Sequence, residues 1–201
     1  MNTLIDLTKV AGMALHFQVA KGEILYVKQN SNSRLLVDTL LCRTDSLSNE
    51  GKVLDMDLNA MTADSIQKLR KQIGFVDPDM YLDTEKSIAK NFKTYAEVLG
   101  MNYSSSLIVL DTYLSKLGLN GGDKVKSLDW KARYVARFAI CLAKKPKVII
   151  TQNLPLLSDL EDSEKTLKSI YHLALTEGIG FIAFITDKSL LEHLPGRYIE
   201  L

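Results

Sequence analysis

The chain is poor in the residues that staple, break or strongly charge a fold. It has two cysteines, four prolines and one tryptophan among 201 residues. Cys42 and Cys141 are far apart, with no C-x-x-C pair and no histidine beside them at ligand spacing. That excludes a disulfide scaffold and a Cys–His metal site, and predicts reduced, buried thiols in a cytosolic compartment. Twenty-five Lys and Arg balance 24 Asp and Glu, for a net charge of +1. A general polyanion binder is thereby excluded, and nucleic acid is not expected as a partner. No apolar run approaches the ~18 residues of a membrane-spanning helix. Met1–Asp6 has no basic region followed by an apolar core. The expectation is neither transmembrane helix nor signal peptide, so that any membrane role passes through a partner. His16, His172 and His193 are scattered and predict ordinary surface or core histidines. Internal repeats and low-complexity segments are absent.

What is present is an apolar fraction of 46%, enough for one large domain, or one with an inserted lobe, that buries on the order of 70% of its unfolded surface. Leu4–Leu7, Met13–Val19 and Ile24–Val27 predict three short strands, with Lys21-Gly22-Glu23 as a turn. A helix is expected from Ser31 to Cys42, a strand over Gly51–Met56, a capped helix over Thr62–Lys71 and a strand over Ile73–Val76. From Thr84 to Lys116 the pattern is helical, with one stripe of Ile88, Phe92, Tyr95 and Val98-Leu99 and another of Leu107, Leu110, Tyr113-Leu114 and Leu117. Gly118–Asp123 is the one glycine-dense stretch; no strand precedes it, so it predicts a helix terminator and joint, not an anion cradle. A helix over Asp129–Ala143, a strand at Val148–Ile150, a helix over Leu160–Thr176, a strand at Phe181–Ile185, a short helix to Leu194 and a strand over Arg197–Leu201 complete the chain. Glu161, Asp162 and Glu164 suit a helix start. Strands that alternate with helices and carry unbroken apolar runs indicate a mainly parallel sheet covered on both faces. The fold class is α/β: a P-loop-type core (1–79 and 131–201), an antiparallel β layer before it, and a helical lobe inserted at 80–130.

The chain is organised around residues 23–41. An apolar strand, seven polar residues (28–34) and a helix form the scaffold of a phosphate-binding loop, in which glycines turn successive amides toward a phosphate, a lysine reaches the outer phosphates and a hydroxyl holds Mg²⁺. Set against G-x-x-x-x-G-K-[ST], the glycines are Lys28 and Ser33, the lysine is Arg34 and the hydroxyl residue is Leu35. A residue with a Cβ does not readily take the positive φ of a phosphate nest, and leucine ligates no metal. Taken alone, this window reads as a strand-to-helix connection with Ser31 or Ser33 as N-cap.

Seven segments in order change that reading. Lys21-Gly22-Glu23-Ile24, Leu69–Val76, Lys90-Asn91-Phe92, Ser127-Leu128, Val135–Ala139, Pro146–Ile150 and Ile185-Thr186-Asp187 resemble conserved segments of the ATP-binding subunit of ABC transporters. The resemblance spans essentially the whole chain and is nearest to single-cassette subunits of the lipoprotein-release, cell-division and macrolide-export type. Laid on that family, the Q-loop glutamine falls on Pro78, the L-S-G-G-Q signature on Leu128-Asp129-Trp130-Lys131-Ala132, the Walker B aspartate and catalytic glutamate on Gln152 and Asn153, and the switch histidine on Thr186. Of the polar set, the D-loop aspartate alone is kept, as Asp159.

The resemblance therefore implies a cassette fold without its ATP chemistry. An amide at 152 or 153 brings no charge to Mg²⁺ and is a poor general base. Arg34 can still meet an anion as a charge, so weak ATP or anion binding stays open, but no cofactor, metal or catalytic residue is expected. The family's cassettes pair head to tail, and in a mixed pair Asp129 and Trp130 would spoil the second site as the loop spoils the first. The leading expectation is a pseudo-ATPase, a structural or regulatory subunit on the cytoplasmic face of a membrane permease, as a homodimer or paired with another cassette. The alternatives are a divergent ATPase using Arg34 with Asp159 or Asp187, and a soluble scaffold dimer without a membrane partner. Pro78, Tyr81 and Leu82 form the candidate partner surface, and Trp130 is either half-buried packing or part of a partner surface. The chain stops at Leu201, short of the family's usual return strand and tail, so the sheet edge is expected to stay short or be covered by another protein.

Overall fold

In a computed structural model the chain forms two compact units, Met1–Phe75 with Pro146–Leu201, and Val76–Lys145. The structure describes residues 3–43, 49–77, 81–152, 160–186, 191 and 194–201, without the side chains of 160–164 and 166.

The first unit holds two sheets. The antiparallel one runs β2 (Met13–Ala20), β1 (Thr3–Val10), β4 (Glu50–Val53), β5 (Met56–Asp57). Its strands alternate: Ile5, Leu7, Phe17 and Val19 are fully buried, while their neighbours along each strand are more exposed, the mark of a sheet with one wet face. The expected single strand over Gly51–Met56 is a hairpin, because Leu54 and Asp55 take φ of 51° and 66° and turn the chain between Val53 and its partner Met56.

The second sheet runs β6 (Ile73–Val76), β7 (Val148–Thr151), β8 (Gly180–Ile185), β3 (Ile24–Lys28), β9 (Arg197–Ile199). The β7–β8, β8–β3 and β3–β9 pairs are parallel. β7 and β8 are buried throughout, as their unbroken apolar runs require. Val27, Ile150, Ile182 and Phe184 face the antiparallel layer and helix α1 (Ser33–Leu40) in one core, with Leu36, Val37 and Leu40. On the other face, Tyr171 of α6 (Leu160–Thr176) meets Tyr26 and Phe181 edge-on, with ring centroids 6.0 and 5.0 Å away. Helix α2 (Ala63–Gln72) starts with a reciprocal capping box between Thr62 and Ser65. Its Arg70 donates to the carbonyls of Leu41 (2.9 Å) and Cys42 (2.8 Å), satisfying the end of α1.

The other unit contains α3 (Ile88–Val98), α4 (Tyr103–Lys116) and α5 (Trp130–Ala143). The α3 stripe is Ile88, Phe92 and Ala96; Val98 is 81% exposed, because it lies off the i, i+4, i+8 face that its neighbours bury. Gly118 ends α4 as expected: with φ of 76° it lets Leu119 donate to Leu114 and its own amide to Ser115. The short helix before Leu194 falls largely outside the described residues.

Candidate functional site

The parallel order of β7, β8 and β3 puts their carboxyl ends along one edge, where ligands bind in open α/β sheets. Lys28 ends β3 opposite Ile185 of β8, and Gln29 donates its amide to the Ile185 carbonyl at 2.7 Å. Thr186 follows directly and is exposed; Gln152 follows buried Thr151 on β7 and is half-buried. The fold thus gathers Lys28, Gln152 and Thr186 on this edge. Pro78, Asn153, Asp159 and Asp187 lie outside the described residues.

The loop from Lys28 to α1 is closed on itself. Ser33 is 3% exposed; its Oγ accepts from the Asn30 amide (2.8 Å), with the Lys28 carbonyl at 3.3 Å and Asn30 Oδ1 at 3.4 Å for its own proton. Asn30 Oδ1 accepts from the Asn32 amide at 2.9 Å, and the Ser33 amide donates to the Asn30 carbonyl at 3.2 Å. The amides of Asn30, Asn32 and Ser33 are thus spent inside the loop. None of residues 28–34 has a positive φ, so the alternation that builds an anion nest is missing. The expected serine cap is corrected: Asn32 is the N-cap and makes no side-chain cap bond, while Ser33 is the first helical residue, its hydroxyl turned back into the loop. Ser31 is exposed. Asn30 was the residue missed by sequence reasoning, and its signal was the Asn-x-Asn spacing that allows a side chain to bond an amide two residues on.

Arg34 is 89% exposed and lies 3.7 Å from Asp38 one turn along α1. Leu35 packs against the core of the first unit, so the position that aligns with the motif's hydroxyl residue serves packing. Beyond β9, Glu200 pairs with Lys28 at 3.2 Å, and Asn30 Nδ2 donates to the Leu201 carbonyl at 3.1 Å.

The signature-like residues belong to the unit of 76–145. Leu128 ends a 3₁₀ turn over Val125–Ser127, and Asp129 caps α5, accepting from the Ala132 amide at 2.7 Å. Its carboxylate occupies the positive end of the helix. Trp130 is 44% exposed, with Lys131 Nζ 5.9 Å from its ring centroid; Lys131 and Ala132 are half-buried. In the same unit Tyr81 is 77% exposed and Leu82 is 6% exposed. Buried Asn91 pins that segment, accepting from the Asp83 amide (2.8 Å) and donating to the Asp83 carbonyl (3.0 Å). Lys86 holds the Asp83 carboxyl below the usual carboxylate range by hydrogen bonding. Cys141 is buried and burial pushes its thiol up to about 11. Cys42, expected to be buried, is only partly so, because at φ 49° it leaves the end of α1.

The fold is that of the ATP-binding cassette of ABC transporters. It superposes on cbiO1 from Clostridium perfringens, part of the ABC transporter complex cbiONQ, with a TM-score of 0.83, 16% identity, and coverage of 95% of this chain and 81% of that one. A putative ABC transporter ATP-binding protein from Pyrococcus furiosus gives 0.71 at 16% identity, covering 98% and 96%. In sequence the chain is similar to the macrolide export ATP-binding/permease protein MacB of Mannheimia succiniciproducens, 24% identical over 188 residues. The match takes in 91% of this chain, which spans 29% of that curated relative. No protein-family model matches. No helix among the described residues is long and apolar enough to cross a membrane.

Proposed function

We propose that this chain is a pseudo-ATPase: a cassette that keeps the fold, neither binds ATP productively nor hydrolyses it, and serves as a structural or regulatory subunit of a membrane-associated, transporter-like complex. The observation that carries this reading is the closed loop, in which Ser33 Oγ and Asn30 Oδ1 take the amides of Asn30 and Asn32. A phosphate would have to break those bonds and replace them without a glycine, a buried lysine or a metal-binding hydroxyl to help. The replacements at Gln152, Asn153 and Thr186 act in the same direction, removing the charge for Mg²⁺, the base and the sensor. The transporter context rests on the relatives, which are described as parts of ABC transporters or an export protein. The partner is then a permease at the cytoplasmic face, with exposed Tyr81 in the surface that meets it.

Calorimetric titration of the full chain with Mg-ATP tests the reading. No saturable binding is expected in the micromolar range; micromolar affinity that disappears in Arg34→Ala would overturn this reading, and steady phosphate release that depends on Arg34 and Asp159 or Asp187 would establish the divergent ATPase instead. Recovery of the chain from membranes together with a multi-spanning protein supports the subunit role. Recovery only as a soluble dimer supports the scaffold reading.

A further inference from the structure

We propose that residues 195–201 form a strap whose direction is set by charge and which keeps the β3–α1 loop closed. β9 is a three-residue edge strand, pairing Arg197, Tyr198 and Ile199 with Leu25, Tyr26 and Val27. So short a parallel ladder does little to specify its own direction or register. Ion pairs of opposite sense stand at its two ends. At the start, Arg197 Nε meets Glu23 Oε1 at 2.8 Å and the same guanidinium donates to the Gln18 carbonyl. At the far end, Glu200 Oε2 meets Lys28 Nζ at 3.2 Å. The cation is on the strap at one end and on β3 at the other. An antiparallel strap would bring Arg197 to Lys28 and Glu200 to Glu23, like charge against like, so only the parallel direction is neutralised. Both anchors are built in: Glu23 also accepts from the Ala20 amide at 2.7 Å, and Tyr198 donates to Glu200 Oε1 at 2.8 Å.

The strap and the loop share atoms. Lys28, paired with Glu200, supplies the carbonyl beside Ser33 Oγ; Asn30, whose Oδ1 holds the Asn32 amide, donates its Nδ2 to the Leu201 carbonyl at 3.1 Å. Releasing the strap therefore frees the side chain at the centre of the loop. Gly196 sets the entry: at φ 142°, a Cβ there would lie 2.5 Å from the Tyr26 ring and 2.9 Å from the Ile24 carbonyl.

Hydrogen exchange of the full chain reads the coupling at the amides of Asn30, Asn32 and Ser33. Arg197→Glu and Lys28→Glu are each expected to speed exchange there and at Tyr198 by about two- to fivefold, the scale of one surface ion pair. The swap Lys28→Glu with Glu200→Lys is expected to restore the original rates, and amides of β1 to stay slow throughout. Gly196→Ala, which changes no charge, is expected to speed the same loop amides, and 1 M salt to do so in the unaltered protein. Loop amides that keep their rate while Tyr198 exchanges faster would overturn the coupling. A Lys28→Glu, Glu200→Lys double variant that exchanges as fast as Lys28→Glu alone would overturn the charge-set direction.

Discussion

Asn91 shows how much one side chain can hold. It is 5% exposed and bonds Asp83 twice and the Ser87 carbonyl at 3.1 Å. Asn91→Ala leaves those groups without their partner and is expected to cost about 2 kcal/mol, measured by urea denaturation, with the Tyr81 segment the first to gain hydrogen exchange. Titration adds a second residue-scale expectation. Burial raises the Cys141 thiol from 9.0 to about 11 and the Tyr26 phenol from 10.0 to about 12. In both cases the folded state holds the proton where the unfolded chain has lost it, so stability falls as pH rises, from about 9 to 11 for Cys141 and about 10 to 12 for Tyr26. Thermal melts between pH 8 and 11 check the sign, and Cys141→Ala is expected to shed part of the loss that begins near pH 9, since burial raises the Cys42 thiol as well. The identities at 28, 33, 34 and 35 were legible in sequence; that Ser33 and Asn30 spend the loop's own amides was not, because it depends on the path of the backbone.

Among the elements, caps were legible in part: that of α2 was, while that of α1, expected at a serine, falls on Asn32. Asp129 stands before α5 and Thr62 before α2, and each caps as its residue type prefers. Asp129→Ala is expected to cost about 1 kcal/mol, read by chemical denaturation, and to leave the first unit's core untouched. Strand ends were less legible. The β4–β5 hairpin was missed because Leu54 and Asp55 are not glycine or asparagine, yet neighbouring strands hold them in the left-handed region. Gly51 shows the opposite demand: with φ of 137°, an added Cβ would lie 2.3 Å from the Asp6 carbonyl of β1. Gly51→Ala is therefore expected to destabilise by roughly 2 kcal/mol or more, with the β1 and β4 amides exchanging sooner than those of β7.

At the scale of the whole molecule, the replaced motif positions are spread over several segments, and restoring one does not restore the rest. Under the proposed function, Ser33→Gly, Arg34→Lys and Leu35→Ser combined are expected to give no steady phosphate release, because Gln152 and Asn153 still supply neither charge for Mg²⁺ nor a base. A phosphate-release assay decides it. Apolar periodicity and ordered motifs were sufficient by themselves to determine the α/β class, the antiparallel layer and the cassette fold, since burial patterns are written locally at periods of two and 3.6 residues; the helical unit runs over 76–145 and takes in α5, which sequence placed in the core. Only the tertiary structure decided which groups satisfy one another across long separations: Ser33 against Asn30 inside a closed loop, Glu200 against Lys28, Arg197 against Glu23. Such pairings are set by strand order and register, which bring residues more than 170 positions apart within hydrogen-bonding reach and which no local pattern encodes.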